Sequence, residues 1–515
     1  MRAPDDVKRA VLYMIKAGFQ VHPEALEALK DVREDLDLLE VAKSVVEKAR
    51  ASGEVFIRRE HVEEIVEALS GPRKEEIPPP EVWGKGEKPA RARDVEADIE
   101  VLMDPTVEMG SAGRLDDLVE YFRDRFKRLS AILKRRMDAK DAVAISRALR
   151  AAPGSEVKLI GMVHMKKERE GKVLIVLEDE EAKATILFTP KASASAYEAA
   201  KKLMLDQVIC VRAVKMSKDM FLAKDVMSPD VPVRGGENRP SSGQEPVYAV
   251  LISDIHYGSV GFVEEAFRRF LAWLKGSLGN ERLREIAGAV KYVVVAGDLV
   301  DGVGVYPGQE AELVIADVYR QYEGVASLLA EIPDHIELIL SPGNHDACRR
   351  ALPQPAIPKA YAEPLYSDGR AHVLGNPCLV ALHGVKFLIY HGNSFDDMVS
   401  VVPGLSFDRP LEMMKLMLKA RHLAPIYGMK TPIAPAGRDM LVIEEVPDVF
   451  HTGHVHVTAT GTYRGVLLVN SGAWQAETAY QRARGIVPTP GRAVLVDLRT
   501  LGLVELDFTR PELWA

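Results

Sequence analysis

The sequence predicts a multidomain α/β protein with a helical N-terminal module, a β-barrel and a layered α/β domain in its C-terminal half. Three observations support this prediction. The chain has 515 residues, too many for one ordinary hydrophobic core. The period of its apolar residues changes along the chain, from helical to strand-like and then to strands alternating with helices. Its content of 47% hydrophobic and 28% charged residues is typical of a globular protein.

Apolar residues at helical spacing mark the N-terminal part of the chain. Val7, Val11, Met14 and Ile15 form one such stripe, which predicts a small helical bundle with these residues in its core. Its charged faces could equally dock a partner. Segments rich in Pro, Gly, Lys and Glu cannot bury enough apolar surface to fold, so we expect linkers there. The predicted segments are a helical module at 1–70, a linker at 71–100, a helical connector at 101–150, a barrel at 151–230, a second linker at 231–246 and the α/β domain at 247–515.

The barrel prediction depends on five short strand-like runs between residues 155 and 230. A helical stretch lies between the third and fourth runs, which is the layout of an OB-fold β-barrel. Such barrels often bind single-stranded nucleic acid by stacking bases on aromatic side chains. These strands offer almost no aromatic residues beyond Phe188 and Phe221. We therefore expect a structural or protein-binding barrel.

Composition limits the classes of function. The net charge is −8, whereas proteins that clamp nucleic acid alone usually carry a basic face, so a partner and bound metals would have to supply positive potential. Cys210, Cys348 and Cys378 lie far apart and form neither a disulfide framework nor a thiolate zinc motif, which favours a reducing cytoplasm. No apolar run is as long as a membrane span, and the N-terminus lacks the apolar core of a signal peptide.

Five apolar runs in the C-terminal half each end in a residue type that binds metal ions. In layered α/β folds the loops beyond the carboxyl ends of strands build the site, so these side chains should converge on one crevice. Two runs end in pairs spaced two residues apart, whose side chains project the same way. The predicted ligands are Asp254, His256, Asp298, Asn344, His391, His454 and His456.

Carboxylates, imidazoles and an amide in this pattern predict a site for two divalent metal ions. Asp298 follows a glycine and could bridge two cations about 3.5–4 Å apart, as in two-metal hydrolases. The ligand types suit Mn²⁺, Fe or Zn²⁺ better than Ca²⁺. His345 should point away from the metals and protonate a leaving oxygen, and Asp301 could orient His345.

The ordered set Asp-x-His, Gly-Asp, Gly-Asn-His-Asp, His and Gly-His-x-His resembles the calcineurin-like metallophosphoesterases. This resemblance implies a four-layer α/β/β/α domain with His345 as the catalytic acid. Gly302 stands where phosphoprotein phosphatases carry an arginine, which argues against that class. The implied ligands are Asp254, His256, Asp298 and His456 for one metal, and Asp298, Asn344, His391 and His454 for the other.

Further stretches are similar to the small subunits of archaeal family-D DNA polymerases. This resemblance covers about residue 150 onward and implies a proofreading 3′→5′ exonuclease, stimulated by Mn²⁺, that acts on DNA 3′ ends. It also implies a complex with the large catalytic subunit, contacted through the barrel and the α/β domain, and association with the sliding clamp. The stretches are residues 352–355, 391–397, 421–428, 431–435 and 474–475.

Two alternatives remain open. One is a non-catalytic scaffold like the B-subunits of eukaryotic replicative polymerases, in which the metal ligands have been lost. The other is a free-standing phosphoesterase for a small substrate, which would not explain the barrel or the linkers. The complete ligand set favours an active enzyme over the scaffold.

Overall fold

The computed structural model describes residues 4–30, 32, 38–52, 56–57, 59, 61–62, 65–66, 90–107, 113–233 and 246–514. The chain divides into two compact units, Met1–Glu75 and Glu76–Ala515. Most of the first predicted linker, at 71–89, and most of the second, at 234–245, lie outside the described residues. No helix within the described ranges is both long and apolar enough to cross a membrane.

The first unit combines helices with a short parallel pair of strands. Val7 and Met14 lie in its core as predicted, together with Ala10. Ile15 is 54% exposed, because residues 7, 10 and 14 share one face of their helix and position 15 is rotated away from it. The elements are α1 (Pro4–Lys16), β1 (Gln20–Val21), α2 (Pro23–Lys30), α3 (Leu38–Ser52) and β2 (Phe56–Ile57).

The second unit contains a closed five-stranded barrel. Its strands pair in the order β4-β5-β6-β8-β7 around the barrel. In the sequence, helix α6 lies between the third strand, β6, and the fourth, β7, which confirms the predicted layout. Phe188 and Phe221 are both buried in the barrel core, so neither can stack a base. The elements to this point are β3 (Ile99–Met103), α4 (Leu115–Lys134), α5 (Ile145–Ala148), β4 (Glu156–Arg169), β5 (Lys172–Glu178), β6 (Lys183–Phe188), α6 (Ala194–Lys201), β7 (Val208–Lys215) and β8 (Met220–Met227).

The remaining residues form two mixed sheets with helices. In the described part of the chain, one sheet has the order β12-β11-β10-β9-β18-β19 and the other β16-β17-β15-β14-β13-β3. Their elements are β9 (Tyr248–Ile252), α7 (Glu264–Leu274), α8 (Glu281–Ala287), β10 (Val290–Ala296), α9 (Val318–Ala330), β11 (Glu337–Ser341), α10 (Lys359–Ser367), β12 (Ala371–Val373), β13 (Cys378–Leu382), β14 (Val385–Ile389), α11 (Phe395–Val401), α12 (Pro410–Ala420), β15 (Val449–Thr452), β16 (Ala459–Tyr463), β17 (Val466–Asn470), α13 (Ala479–Arg484), β18 (Arg492–Asp497) and β19 (Leu503–Asp507).

Strand β10 shows why the predicted strands are continuous apolar runs. Tyr292 and Val294 pack with apolar residues of the other sheet, whereas Val293 and Val295 pack in the cluster that contains residues of α7 and α9. Both faces are buried, so every position must be apolar. Strands β9, β10 and β11 are parallel, as are β14 and β15, so their carboxyl ends share an edge within each sheet.

Strand β3 changes the predicted domain boundary. Residues 99–103, which the predicted boundaries divide between a linker and a helical connector, pair antiparallel with β13 at the edge of the second sheet. A five-residue edge strand with a burial pattern that hardly alternates gives no clear period-2 signal. The α/β domain therefore includes residues from before the barrel as well as those after it.

Helix α4 is joined to the α/β domain by a buried polar network. Arg125 and Asp439 are fully buried, and the Arg125 Nε donates to Asp439 Oδ2 at 2.7 Å. Tyr121 donates to the other oxygen of Asp439 at 2.8 Å, and His422 Nε2 donates to Oδ2 at 2.8 Å. The arginine also donates to the carbonyl oxygen of Pro425, so the network fixes α4 against residues 421–439.

Candidate metal centre

The structure brings the predicted residues together at the carboxyl ends of five strands. Asp254 and Asp298 lie beyond the parallel neighbours β9 and β10, and His391 and His454 lie beyond β14 and β15. Strand ends from both sheets therefore meet at one crevice, as predicted. The residues that follow these strands are Asp254 and His256 (β9), Asp298 and Asp301 (β10), Asn344 and His345 (β11), His391 (β14), and His454 and His456 (β15).

Five of these residues have left-handed backbone conformations. The φ angles are 52° at Asp254, 49° at His256, 53° at Asp298, 72° at His454 and 60° at His456. Non-glycine residues seldom adopt this region, and each costs on the order of 1–3 kcal/mol. Such strain persists only where surrounding contacts enforce it, and it concentrates at functional sites. It lets each loop reverse directly after its strand.

Glycines allow the loops to interlock. Gly297 has a φ of 90°, and a Cβ there would lie 2.4 Å from His391 Nδ1. A Cβ on Gly343 would lie 2.2 Å from Asp298 Oδ1. The Gly-Asp and Gly-Asn motifs therefore need glycine because the side chains of two predicted ligands, His391 and Asp298, occupy the space beside the backbone. The amide of Asp254 donates to the carbonyl oxygen of Gly297 at 2.9 Å, which connects the first two loops.

One group of close donors consists of Asp254, His256 and His456. The two Nε2 atoms of the histidines lie 3.1 Å apart, and His456 Nε2 lies 3.4 Å from Asp254 Oδ1. All three side chains are buried. Asp298 Oδ2 lies 3.6 Å from His256 Nε2, at the edge of this group.

A second group consists of Asp254, Asp298 and His391. The His391 Nε2 lies 3.2 Å from Asp298 Oδ2 and 3.0 Å from Asn344 Oδ1. Asp254 belongs to both groups, and Asp298 belongs to the second and lies at the edge of the first, so either carboxylate is close enough to both groups to bridge two cations.

The charges of the buried groups fit a cation site. Burial opposes ionisation of Asp298, but His391 and His345 nearby outweigh it and hold the pKa of Asp298 well below its usual range. Burial also opposes ionisation of Asp254, but the hydrogen bond and charge of His456 outweigh it and lower the pKa of Asp254. Burial alone would lower the pKa of His391, but Asp298 raises it to about 9. The crevice therefore favours positive charge at the point that Asp298, Asn344 and His391 face.

The Nδ1 atoms of two imidazoles, those of His256 and His391, are held by hydrogen bonds on the side of the ring that faces away from the crevice. His256 Nδ1 donates to Asp301 Oδ1 at 2.9 Å, and His391 Nδ1 donates to the carbonyl oxygen of Ala296 at 2.8 Å. Both rings therefore present Nε2 to the crevice. Anchoring of Nδ1 by a carboxylate or carbonyl is the usual support for a metal-binding histidine. The donor set, its charge and this support together fit a metal centre.

His454 is held differently from the other predicted ligands. Its Nε2 donates to Asp396 Oδ2 at 2.9 Å, and its side chain is 17% exposed. Its amide donates to Asp254 Oδ2 at 3.0 Å. Among the described residues, His454 is in neither of the two donor groups above. It lies at the crevice, and its ring contacts the ring of His391 with centroids 5.2 Å apart.

His345 forms a third group of close donors with His256 and Asp301, and the carboxylate of Asp301 has a different partner from the one expected. His345 Nδ1 donates to the main-chain carbonyl oxygen of Asp301 at 2.8 Å and lies 3.9 Å from its carboxylate. The carboxylate instead accepts from His256, and also from Gln309 at 3.0 Å and Gln475 at 3.1 Å. The main chain of Asp301 thus orients His345, and the side chain orients His256.

Several residues at the site were not predicted. Asp346 accepts from the amide of Gly343 at 2.8 Å and from Tyr322 at 3.0 Å, and burial together with Asp298 raises its pKa to about 6. Its position in the Gly-Asn-His-Asp motif signals this role. Asp396 belongs to the stretch at 391–397. Gln481, which contacts His456 Nδ1 at 2.7 Å, follows no motif in the sequence.

The crevice opens into a cavity of about 670 Å³, the catalytic cleft, whose walls include Lys430, Tyr480 and Tyr306. A second cavity of about 490 Å³ begins at His345 and Arg350, which line both. The surface around the centre is thus deep enough for a substrate larger than a phosphate group.

Comparison with known proteins gives one consistent result. Residues 249–460 match the family of DNA polymerase alpha/epsilon B-subunits. A DNA polymerase II small subunit of Pyrococcus horikoshii is 42% identical over 81% of this chain and 68% of its own length. The one from Archaeoglobus fulgidus is 40% identical over 86% of this chain and 87% of its own length. The one from Methanothermobacter thermautotrophicus is 41% identical over 80% of this chain and 83% of its own length.

Proposed function

Because the chain belongs to the family of archaeal DNA polymerase II small subunits, the small subunits of family-D polymerases, we propose that it is the proofreading 3′→5′ exonuclease of its complex. The observation that carries this proposal is the convergence of five predicted ligands in one buried crevice, with Asn344 and His454 at its edge. A scaffold subunit has no need for two ionised buried carboxylates beside four imidazoles. In this proposal the two sheets and their helices form the four-layer domain of calcineurin-like phosphoesterases.

The residues present fit two divalent metal ions, of which Mn²⁺ is our first expectation and Fe or Zn²⁺ the alternatives. Asp298 would be shared between the two positions. When bound, such ions activate a water molecule and neutralise phosphate charge. The proposed ligands are Asp254, His256, Asp298 and His456 for one position, and Asp298, Asn344, His391 and His454 for the other.

His345 is the proposed proton donor. Its Nδ1 is engaged by the carbonyl oxygen of Asp301, so Nε2 is the atom that would deliver a proton. Hydrolysis bonds a water oxygen to phosphorus and breaks the bond from phosphorus to the 3′ oxygen of the preceding nucleotide. The water loses a proton to solvent, and the 3′ oxygen receives one from His345. The products are a nucleoside 5′-monophosphate and a DNA strand that is shorter by one nucleotide.

The family membership implies a large polymerase subunit as partner. The barrel supports a role in protein contact rather than DNA binding, because the two aromatic side chains of its strands, Phe188 and Phe221, are buried. DNA 3′ ends and the sliding clamp are further proposed partners. The three cysteines are free, which supports the reducing cytoplasm proposed for this chain.

Single-stranded DNA labelled at either end tests the proposal. With Mn²⁺, the full chain and its complex with the large subunit should shorten 5′-labelled DNA one nucleotide at a time and release labelled mononucleotide from 3′-labelled DNA. Release of mononucleotide from the 5′ end would contradict the assigned polarity. No degradation by the chain or the complex with Mn²⁺, Fe²⁺ or Zn²⁺ would favour the scaffold.

A further inference from the structure

Two cavities extend from His345 and differ in what lines them. The catalytic cleft holds His256, Asp298 and both histidines of the last motif. We name the 490 Å³ cavity the strand groove; its walls include Val303, Arg350 and Tyr361, and Asn344 is its one predicted ligand. His345 lies at the junction of the two cavities, so a substrate that reaches it can occupy both.

The strand groove carries the two features that bind single-stranded nucleic acid. Tyr361 is 36% exposed and stacks on Tyr319, which is 51% exposed, with ring centroids 5.3 Å apart and an angle of 26° between the rings. Arg350 is exposed, and its guanidinium is held beside the groove by a bond to the carbonyl oxygen of Val305 at 2.6 Å. An exposed aromatic surface can stack a base, and a cation can neutralise a phosphate.

The catalytic cleft has exposed aromatic residues and cations of its own, among them Tyr480 and Lys430. Tyr480 is 56% exposed, and the guanidinium carbon of Arg484 lies 4.9 Å from the centre of its ring. Lys430 also lines this cleft, 3.9 Å from the carboxylate of Asp396. A nucleoside whose phosphate sits over the predicted ligands therefore meets Tyr480 rather than Tyr361.

The position of the proton donor fixes which end of the substrate occupies which cavity. In 3′→5′ cleavage the leaving 3′ oxygen belongs to the strand that is retained, and it must lie next to His345. The phosphate and its terminal nucleoside must lie on the side of the predicted ligands. We infer that the strand groove binds the retained DNA strand and that the catalytic cleft binds the terminal nucleotide. This inference rests on the proposed function and adds the polarity of the bound strand to it.

Two substrates separate the cavities. Oligothymidylate fills both, whereas thymidine 5′-(p-nitrophenyl phosphate) has the terminal nucleotide but no retained strand, and its nitrophenolate leaves without a proton. With the complex and Mn²⁺, Tyr361→Ala and Arg350→Gln should each raise the KM for oligothymidylate about 10-fold. Tyr361→Ala should leave kcat/KM for the nitrophenyl ester within about 2-fold, which also reports that this variant is folded, whereas Arg350→Gln should impair both substrates because Arg350 lines both cavities. Tyr480→Ala should raise the KM for both substrates.

Tyr427→Ala is the matched control, because Tyr427 is 37% exposed and lines neither cavity. Binding of fluorescein-labelled oligothymidylate in EDTA, followed by anisotropy, gives a readout independent of turnover and should weaken about 10-fold in Tyr361→Ala. The inference is overturned if Tyr361→Ala impairs the nitrophenyl ester and Tyr480→Ala only the oligonucleotide, or if Tyr361→Ala and Arg350→Gln behave like the control. If the wild-type complex hydrolyses neither substrate, the proposed function fails. The strand groove is still tested separately, because an unchanged affinity of Tyr361→Ala for the labelled oligothymidylate would overturn its role in binding DNA.

Discussion

Asp301→Asn tests whether the carboxylate behind His256 supports metal binding. Asp301 accepts hydrogen bonds from His256, Gln309 and Gln475, at 2.9, 3.0 and 3.1 Å respectively. Asparagine has almost the same shape, but one of its two terminal atoms becomes a donor. If the new NH2 group of the asparagine faces Gln309, two donors meet. Gln309 cannot turn its amide to offer its oxygen instead, because that oxygen accepts a hydrogen bond from the amide of Val305 at 2.8 Å.

The magnitude follows from the number of bonds affected. Burial disfavours the charge of Asp301, but the bond from His256 holds its pKa below the usual value, so the native group is an anion at neutral pH. The variant loses that charge and at least one of the three bonds. Loss of such support for a metal-binding histidine typically weakens metal affinity about 10- to 100-fold, equivalent to about 1.4–2.7 kcal/mol.

The assay is a Mn²⁺ titration of exonuclease activity together with Mn²⁺ binding by calorimetry. We expect the half-saturating Mn²⁺ concentration to rise about 10- to 100-fold, with most of the maximal rate recovered at high Mn²⁺. Asp230→Asn is the matched control, since Asp230 is buried and accepts from Tyr463 at 3.1 Å but lines neither cavity. An unchanged Mn²⁺ dependence in a folded Asp301→Asn protein would refute the supporting role.

The other predictions concern the site and the fold. Asp298→Ala should abolish Mn²⁺-dependent DNA degradation while thermal unfolding stays cooperative; retained degradation would contradict the shared-ligand role. His345→Ala should keep Mn²⁺ binding by calorimetry but lose turnover at least about 100-fold, and loss of metal would instead make His345 a ligand. Burial, and next the charge of Arg125, lower the pKa of His422 to about 4. As pH falls, His422 is therefore protonated at a higher pH in the unfolded chain than in the folded one. The free energy of unfolding should drop by about 2 kcal/mol between pH 7.5 and 5, measured in urea titrations. His422→Gln should remove that part of the pH dependence, and an unchanged slope would contradict the assigned pKa.

The residues at the centre could be predicted because each follows a buried strand. A parallel strand between two cores must be apolar throughout, as β10 is, so its end and the polar residue beyond it are visible in the sequence. Shared strand ends then imply convergence. Five predicted ligands lie in the first two donor groups, and Asn344 lies 3.0 Å from His391.

The contacts behind the ligands could not be predicted in the same way. The carboxylate of Asp301 bonds His256 across 45 residues, and Gln475 reaches it across 174. Such pairs depend on the paths of separate loops, which leave no local pattern. Arg125 was missed for a different reason. A helical pattern assigns an arginine to the solvent face, and only its partners Asp439 and Pro425 make its burial possible.

Strand β3 has a practical consequence for dissecting this protein. A fragment that starts at residue 247 would carry every predicted ligand but would lack the strand that covers the edge of β13. Residues 378–382 are all buried, so their exposure would present an unpaired apolar edge, the arrangement that drives chains to associate through their backbones. An autonomous nuclease fragment would have to retain residues 90–107 and the barrel between, or receive them as a separate peptide. The barrel is thus inserted into the α/β domain, which cannot be separated from it by a single cut.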